Sequence, residues 1–228
     1  MLNFEIDPAI LEPFVPRGTE LDSWQGRTFV SEVGFLFLNT RLLGAPIPFH
    51  RNFEEINLRF YVRRKAEDGW RRGVVFIKEI VPRWAIATVA RVVYGERYVA
   101  RRMWHGVDLS KTSFTKSGVV EYGWMEPSGR NYLRVTAAGD PQQLTLASEE
   151  EFITEHYWGY AAQADGGTVE YKVEHPSWRV WQVGDAEFVC DIERVYGEQF
   201  VDPLRAKPCS AFVAEGSPII VRKGVKIC

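Results

Sequence analysis

The sequence FEEINLRFYVRR at 53–64, followed by KAEDGW at 65–70 and RRGVVFIKEIVP at 71–82, decides the fold of this chain. Both flanking runs are rich in β-branched and aromatic residues, whereas the linker between them is short, polar and contains a glycine. Two such runs joined by a tight polar turn are typical of a β-hairpin. The sequence therefore predicts two long antiparallel strands in this region.

Outward from this hairpin, most of the chain also has the pattern of strands. The run GRTFVSEVGFLFLNTRLL from Gly26 predicts one or two strands, and SGVVEYGWMEPSGRNYLRVTA from Ser117 predicts a second hairpin with the turn PSG. Towards the C-terminus, further strands are predicted in TVEYKVEH, SWRVWQV, EFVCDIE and CSAFVAEGSPIIVRKG.

Only three segments have helical features. Asp7 and Pro8 supply an N-cap and a first helical position, but closely following prolines limit that helix to one or two turns. Apolar residues recur at helical spacing within 84–95, which predicts a long helix. Ser148 and Glu151 form a capping box ahead of FITEHYWGYA, which predicts a second helix of two to three turns.

The order of these elements indicates the fold class. Strands outnumber helices and do not alternate with them, as a parallel βαβ sheet would require. No repeat or Pro/Ser-rich linker divides the 228 residues. We therefore predict one domain spanning 1–228 that is mainly β (α+β), with an antiparallel sheet that curls around two helices or closes as a barrel.

Composition excludes several classes of protein. The 8 Trp, 9 Tyr and 14 Phe exclude a disordered chain, since disordered sequences are poor in aromatic residues. The 28 basic and 30 acidic side chains predict no nucleic-acid or membrane partner, because such binders normally carry an excess of Lys and Arg. The N-terminus lacks a secretory signal pattern, and no stretch approaches the roughly 18 apolar residues of a membrane span. These features predict a cytoplasmic protein.

The cysteines do not suggest a metal site. Cys190, Cys209 and Cys228 show no CxxC spacing and no His-rich partner segment. We therefore expect no zinc site and no cofactor. Cys190, inside the apolar run EFVCDI, is predicted to be a small buried thiol.

Alternation in the first strand of the hairpin places a polar row on one face. Glu55, Asn57, Arg59 and Tyr61 share that face, and the residues between them are apolar. The row is either the wet face of an edge strand or the lining of a small polar cavity inside a barrel. Its four side chains offer every type of hydrogen bond, and Arg59 could hold Glu55 or a ligand carboxylate by a bidentate contact.

Three further side chains are candidates for a site. Lys78 lies in a strongly apolar strand, where desolvation could lower its pKa towards that of a nucleophilic amine, although a solvent-reaching lysine is the simpler interpretation. His175 ends an alternating apolar run before Pro176, either as a core residue or as a ligand contact. His50, in the loop before the polar strand, is either a surface residue or part of the same site.

Several segments together resemble a known family. They are PFHRNFEEINLRFYVRR with its E-x-N-x-R-x-Y motif, RRGVVFIKEIVPRWAIATVARVVYGERY, FITEHYWGY and EHPSW. They resemble the uncharacterised YqjF-like family (domain of unknown function 2071), a branch of the acetoacetate decarboxylase-like superfamily, over nearly the whole chain. The resemblance implies a cone-shaped, antiparallel, β-barrel-like sheet with two flanking helices around a small-molecule pocket. It also favours an inward-facing polar row, and implies a start shorter than in relatives.

The resemblance does not carry the decarboxylase nucleophile with it. Acetoacetate decarboxylase forms a Schiff base through a lysine pair, and an ungapped match places that pair at Tyr98 and Val99. The glutamate of its pocket corresponds to Glu55, whereas its substrate-binding arginine would fall at Glu5 and is absent. The resemblance thus implies a retained pocket without the Schiff-base lysines.

Two functions follow from these residues. The first is an enzyme acting on a small carboxylate or ketone, in which Arg59 orients the carboxylate or enolate, Glu55 is the acid or base and Tyr98 or Tyr61 relays a proton. The second is a non-catalytic protein that binds or senses such a small molecule. The sequence leaves the number of subunits open, a homo-oligomer included. The predicted site consists of Glu55, Arg59 and Tyr98 as catalytic residues and of Asn57, Tyr61, Lys78 and His175 as ligand-binding residues.

Overall fold

A computed structural model gives the fold of most of the chain. The residues it describes are 1–42, 45–46, 52–82, 97–109 and 117–228. The long helix predicted within 84–95 and the candidate residue His50 lie outside these ranges. No helix among the described residues is long and apolar enough to cross a membrane.

The described chain is mainly β, as the sequence predicts. Its strands are β1 Leu2–Glu5, β2 Glu20–Leu21, β3 Phe29–Phe37, β4 Arg41–Leu42, β5 Ala45–Pro46, β6 Phe53–Ala66, β7 Gly69–Val81, β8 Tyr98–Ala100, β9 Met103–Asp108, β10 Ser117–Glu126, β11 Gly129–Gln142, β12 Trp158–Ala162, β13 Thr168–Glu174, β14 Val180–Val189, β15 Ser210–Ala214, β16 Ile220–Val221 and β17 Val225–Lys226. Its helices are α1 Pro8–Leu11, α2 Glu149–Thr154, α3 Ile192–Tyr196 and α4 Val201–Arg205, with 3-10 turns at Glu12–Phe14 and Glu198–Phe200.

Fifteen strands form one sheet. Its main order is β16-β13-β12-β7-β6-β3-β1-β15-β14-β11-β10-β9, and β17, β2 and β8 pair beside this path. The pairs are antiparallel except where β7 runs parallel to β8 and to β12. A closed barrel requires its two end strands to pair. Among the described residues β16 and β9 do not pair, so the sheet is open and the predicted barrel closure is not confirmed.

Both predicted hairpins are present. In the first, β6 and β7 pair from Ala66 opposite Gly69 back to Ile56 opposite Ile80. In the second, β10 and β11 pair along their length from Glu126 opposite Gly129. The first hairpin carries one irregularity: Leu58 and Arg59 pair with Lys78 and Phe76, so Ile77 is an extra residue on β7, and such a bulge increases local twist and re-aims the neighbouring side chains.

The main core lies between two halves of the sheet. The apolar face of β3, β6 and β7 packs against β10 and β11, and α1, α3 and α4 contribute to the same cluster. Fully or almost fully buried members include Ile56, Leu58, Phe60, Trp124 and Leu133. The opposite face of β6 packs on α2 through Tyr61, Phe152 and Ile153. Both faces of β6 are therefore covered.

The two halves of the sheet are in close contact at Gly34. A Cβ atom at Gly34 would lie 2.8 Å from two ring atoms of Tyr122 on β10. Replacing Gly34 with Ala should therefore lower the free energy of unfolding by about 1–3 kcal/mol, the usual cost of overpacking. Chemical denaturation measures this loss, and Tyr122→Ala, which removes two of the three closest atoms, should cost less stability in the Gly34→Ala protein than in the wild type because the two sites are coupled.

A matched glycine provides the control for that prediction. Gly184 lies in β14, and a Cβ atom there would meet no heavy atom within 4 Å. Gly184→Ala should change the free energy of unfolding by less than about 0.5 kcal/mol. Equal losses in both alanine variants would show that contact with Tyr122 is not the cause.

The second predicted helix is shorter than its sequence pattern suggested. Its cap is present, since Ser148 Oγ accepts a hydrogen bond from the Glu151 backbone N–H at 3.2 Å, but α2 ends at Thr154. The predicted helix continues from Trp158 as strand β12 instead, where a Cβ atom at Gly159 would lie 2.1 Å from the ring of Tyr171 on β13. Pairing with the neighbouring strand thus overrides the local pattern.

The region around Cys190 also differs from the prediction. The sequence predicts two strands, in SWRVWQV and EFVCDIE, but a single strand, β14, includes part of each run, and helices α3 and α4 follow. Ile192, Val195 and Tyr196 bury one face of α3, but this helix is too short to show a clear period. Cys190 is half-buried between β14 and α3, and burial raises the pKa of its thiol.

Candidate functional site

The polar row on β6 is buried rather than solvated. Glu55 and Asn57 are each 2% exposed, Tyr61 is 0% exposed and Arg59 is half-buried. Because Asn57 pairs with Glu79 on β7, and Glu79 pairs with Tyr98 on β8, the row continues across three strands. These burial values agree with the inward placement that the resemblance favours, and the lining of a ligand cavity stays a prediction.

Glu55 is the centre of the first polar group. Its Oε1 accepts a hydrogen bond from Asn57 Nδ2 at 3.1 Å, and its Oε2 accepts one from Tyr98 Oη at 3.3 Å. Burial raises the pKa of Glu55 to about 7, although these two hydrogen bonds act in the opposite direction. Burial and the nearby carboxylates of Glu55 and Glu79 raise the pKa of Tyr98 well above its usual value, so its phenol stays protonated. The group therefore combines a carboxyl that titrates near neutrality with a fixed donor.

Arg59 makes contacts that its sequence position did not suggest. Its Nη2 donates to the backbone oxygen of Ile153 at 3.3 Å, and its guanidinium lies 5.7 Å from the ring centre of Tyr61. The last carbonyls of a helix have no partner within the helix and attract cations, and Ile153 belongs to the last turn of α2. For this reason Arg59 caps α2, and the direct ion pair with Glu55 that the sequence suggested is absent from the described contacts.

Two buried atoms of the row have no hydrogen-bond partner among the described residues. They are Asn57 Oδ1, an acceptor, and Arg59 Nε, a donor. Buried polar groups in proteins are nearly always paired, and an orphan often indicates a missing ion, water or ligand. Asn57 lies between Glu55 and Arg59 on the same strand face, and the Cα atoms of Glu55 and Arg59 are about 13 Å apart at roughly 3.3 Å per residue, so these side chains must converge for one small molecule to touch both.

A second polar group lies further along the same face and includes a residue that the sequence reasoning missed. Tyr61 Oη and Ser31 Oγ are 2.6 Å apart, and Ser31 Oγ donates to Asn3 Oδ1. The ring of His156 lies 4.7 Å from that of Tyr61, and Asp22 Oδ2 lies 3.7 Å from its Nε2. Burial lowers the pKa of His156 to about 4, so the ring is neutral. The family motif FITEHYWGY contains this residue and was the available signal.

Lys78 lies on the opposite face of the sheet from Glu55. It pairs with Leu58, points into the main core and donates a hydrogen bond from Nζ to the backbone oxygen of Val195. Burial lowers the pKa of Lys78, as its apolar strand suggested. Alternation places adjacent side chains on opposite faces, so the structure does not bring Lys78 to the Glu55 group.

A second buried acid, Glu32, lies on the same face of the sheet as Lys78, and the sequence pattern did not single it out. Glu32 on β3 is 0% exposed, and its Oε1 accepts a hydrogen bond from Tyr196 Oη at 2.7 Å. Burial raises the pKa of Glu32 to about 8. Its Oε2 has no partner in the described part of the chain. The signal for this residue was a single carboxylate in the otherwise apolar alternation of FVSEVGF.

None of the described contacts of His175 involves the polar row. His175 is half-buried at the surface, where its ring stacks on Trp178 at a centroid distance of 4.1 Å and its Nδ1 lies 2.9 Å from the Pro176 backbone oxygen. Of the predicted site residues, the structure thus brings together Glu55, Asn57 and Tyr98, with Arg59 and Tyr61 beyond them on the same face, and separates Lys78 and His175.

Two solved enzyme structures illustrate the fold that this chain shares. Acetoacetate decarboxylase from Legionella pneumophila matches with a TM-score of 0.62 at 13% identity, over 100% of this chain and 83% of that one. The enduracididine biosynthesis enzyme MppR matches in complex with pyruvate, with a TM-score of 0.63 at 12% identity, over 99% of this chain and 86% of that one. At these identities the likeness establishes the fold.

Comparisons of sequence give more specific matches than the solved structures do. The protein YqjF of Bacillus subtilis (strain 168), which is uncharacterized, is 38% identical over 68 residues, or 29% of this chain. This match spans 28% of the length of YqjF. The family model DUF2071, an uncharacterized conserved protein, matches residues 1–218. Because that match extends over nearly all of the sequence, the chain belongs to the DUF2071 family.

Proposed function

We propose that this protein binds a small keto acid on the polar row of β6 and catalyses proton transfer at the carbon next to its carbonyl group. The observation that carries the proposal is the combination, on one buried strand face, of a carboxyl with a pKa of about 7 and a buried donor, Arg59 Nε, that has no partner among the described residues. A general base works best when its pKa lies near the working pH.

Each side chain has a defined part in this reaction. Arg59 donates from Nε to the ligand carboxylate while its Nη2 remains on α2. The ionised Glu55 removes a proton from the α-carbon, which leaves an enolate, and the same carboxyl returns a proton to that carbon. Tyr98 donates a hydrogen bond to Glu55 and holds its orientation, as does the Asn57 amide. No net redox change and no co-reactant are required.

The fold neighbours support the choice of ligand class. MppR is seen in complex with pyruvate, and acetoacetate decarboxylase is named for a keto acid. The positions that match the decarboxylase lysine pair hold Tyr98 and Val99 in this chain, which favours acid–base chemistry over a Schiff base.

A non-catalytic binding protein is the second candidate. It is favoured by one observation, the engagement of Arg59 with the end of α2, since a guanidinium that stabilises a helix can hold a ligand without any chemistry. Under this alternative a keto acid binds to the row, but its α-protons do not exchange with water.

Deuterium exchange separates the two candidates. Pyruvate in D2O is followed by proton NMR, and the protein is expected to accelerate loss of the methyl signal. The rate should rise with pH and level off above a midpoint near 7, because only the ionised form of Glu55 accepts the proton.

Three other outcomes of this experiment would be informative. Saturation transfer to pyruvate without exchange would support the binding protein. Neither binding nor exchange would contradict a keto-acid site. A borohydride-trapped adduct of pyruvate on Lys78 would contradict the acid–base mechanism and move the reaction to the opposite face of the sheet.

A further inference from the structure

A surface groove lies where the first hairpin extends beyond its neighbour in the sheet. Strand β12 begins with Trp158 opposite Gly73, so the part of β7 before Gly73 projects past the start of β12. The space beside this projection has a volume of about 490 Å³. We call it the aromatic groove; it is lined by the four rings of Trp70, Tyr157, Trp158 and His175 and by four charged side chains.

The rings of the aromatic groove are held in place, and Trp70 is the most exposed of them. Trp70 is 50% exposed, and the other three rings are half-buried. His175 is fixed between Tyr157, at a centroid distance of 4.8 Å, and Trp178, at 4.1 Å. Rings that are already ordered lose little entropy when a ligand packs against them, which favours binding.

The charges that line the aromatic groove balance one another. Arg71 lies over the Trp158 ring at 4.2 Å and forms an ion pair with Asp68 at 3.0 Å. Lys172 and Glu174 form a second pair at 3.4 Å. A charged ligand would therefore meet a like charge beside each opposite one. An uncharged ligand can instead use both the carboxylate acceptors and the cationic donors.

We propose that the aromatic groove is a binding site for a neutral, hydroxyl-rich ring of the sugar class. The C–H faces of such a ring pack against aromatic side chains, and its hydroxyl groups both donate and accept hydrogen bonds. The site is separate from the proposed keto-acid site, since β6 runs about 30 Å, at roughly 3.3 Å per residue, from Glu55 to Arg64, the partner of Arg71.

Ligand-observed NMR tests this inference with named probes. Saturation-transfer spectra are recorded for methyl α-glucopyranoside and myo-inositol, and choline and benzoate serve as charged comparators. We expect transfer to the ring protons of at least one of the two polyols, with affinity weakened by at least about tenfold in Trp70→Ala and in His175→Ala. Trp181→Ala, which removes a ring on β14 outside the groove, should leave the transfer unchanged.

The inference is overturned by any of three results. These are no transfer to either polyol in the wild type, transfer that persists at wild-type strength in both groove variants, and transfer to choline or benzoate alone. Pyruvate exchange should proceed equally in Trp70→Ala and the wild type, so failure of the groove inference leaves the proposed function standing.

Discussion

Replacement of Glu55 with Gln is expected to slow the protein-dependent exchange of pyruvate α-protons by about 10²- to 10⁴-fold, the usual contribution of a positioned general base. Gln keeps the shape of Glu, and its single side-chain oxygen can still accept from either Asn57 or Tyr98, but it cannot accept the substrate proton. The remaining rate should also lose its rise through pH 7, because the group that titrates there is gone. NMR exchange rates at several pH values measure both effects.

The neighbouring residue supplies the control. Glu54 is the same residue type on the same strand, but it faces the other side of β6 and contacts His105 Nδ1 at 2.6 Å. Glu54→Gln should leave the exchange rate within about threefold of the wild type and preserve its pH dependence. A Glu55→Gln protein that folds normally and exchanges pyruvate at the wild-type rate would show that Glu55 is not the base.

Replacement of Glu32 with Gln is expected to stabilise the protein at alkaline pH. The pKa of Glu32 is about 8 in the folded protein and about 4.5 when the side chain is solvated. Between these values the folded state keeps a proton that the unfolded state has released, so stability falls as the pH rises. At about 1.4 kcal/mol per pH unit, Glu32 alone costs the wild type roughly 3 to 5 kcal/mol by pH 9.

Gln at position 32 stays neutral and removes this cost. Its side-chain oxygen can still accept from Tyr196, so Glu32→Gln should differ from the wild type by less than about 1 kcal/mol at pH 5. At pH 9 the variant should be more stable by roughly 3 kcal/mol or more. Urea denaturation at the two pH values measures the difference directly.

A surface glutamate provides a control of opposite sign. Burial tends to raise the pKa of Glu121, but hydrogen bonds from Trp104 and Arg134 outweigh it and lower the pKa. Ionisation of Glu121 therefore supports the folded state at high pH, and Glu121→Gln should lower stability at pH 9. If Glu32→Gln also lowered stability at pH 9, Glu32 would be ionised and paired in the folded protein rather than held as a neutral acid.

A different residue, His156, lowers the stability of the folded state at acidic pH. Burial lowers the pKa of His156 to about 4, compared with 6.5 for a solvated histidine. Below pH 6.5 the unfolded state binds a proton that the folded state excludes, so this residue reduces stability as the pH falls towards 4. Glu32 and His156 thus oppose one another, and stability should be greatest in mildly acidic solution.

Local sequence determined much of the fold. The long hairpin of β6 and β7 follows from two alternating runs around a polar turn, and the same reasoning located β10 and β11. Alternation also determined that Glu55, Asn57 and Tyr61 share a face, since side chains two apart on a strand always do. The sequence also predicts the N-cap of α2 at Ser148, because a capping box involves only residues within one helical turn.

Tertiary structure decided what those side chains contact. At the end of α2, the backbone oxygen of Ile153 accepts a hydrogen bond from the guanidinium of Arg59, although the two residues are 94 positions apart in the chain. Pairing between β12 and β13 ended the helix at Thr154, and packing against Tyr196 made Glu32 a buried acid. These outcomes depend on contacts between residues distant in sequence. Periodicity reports which face a side chain occupies, but the charge, burial and hydrogen bonds of that face come from whichever element packs on it.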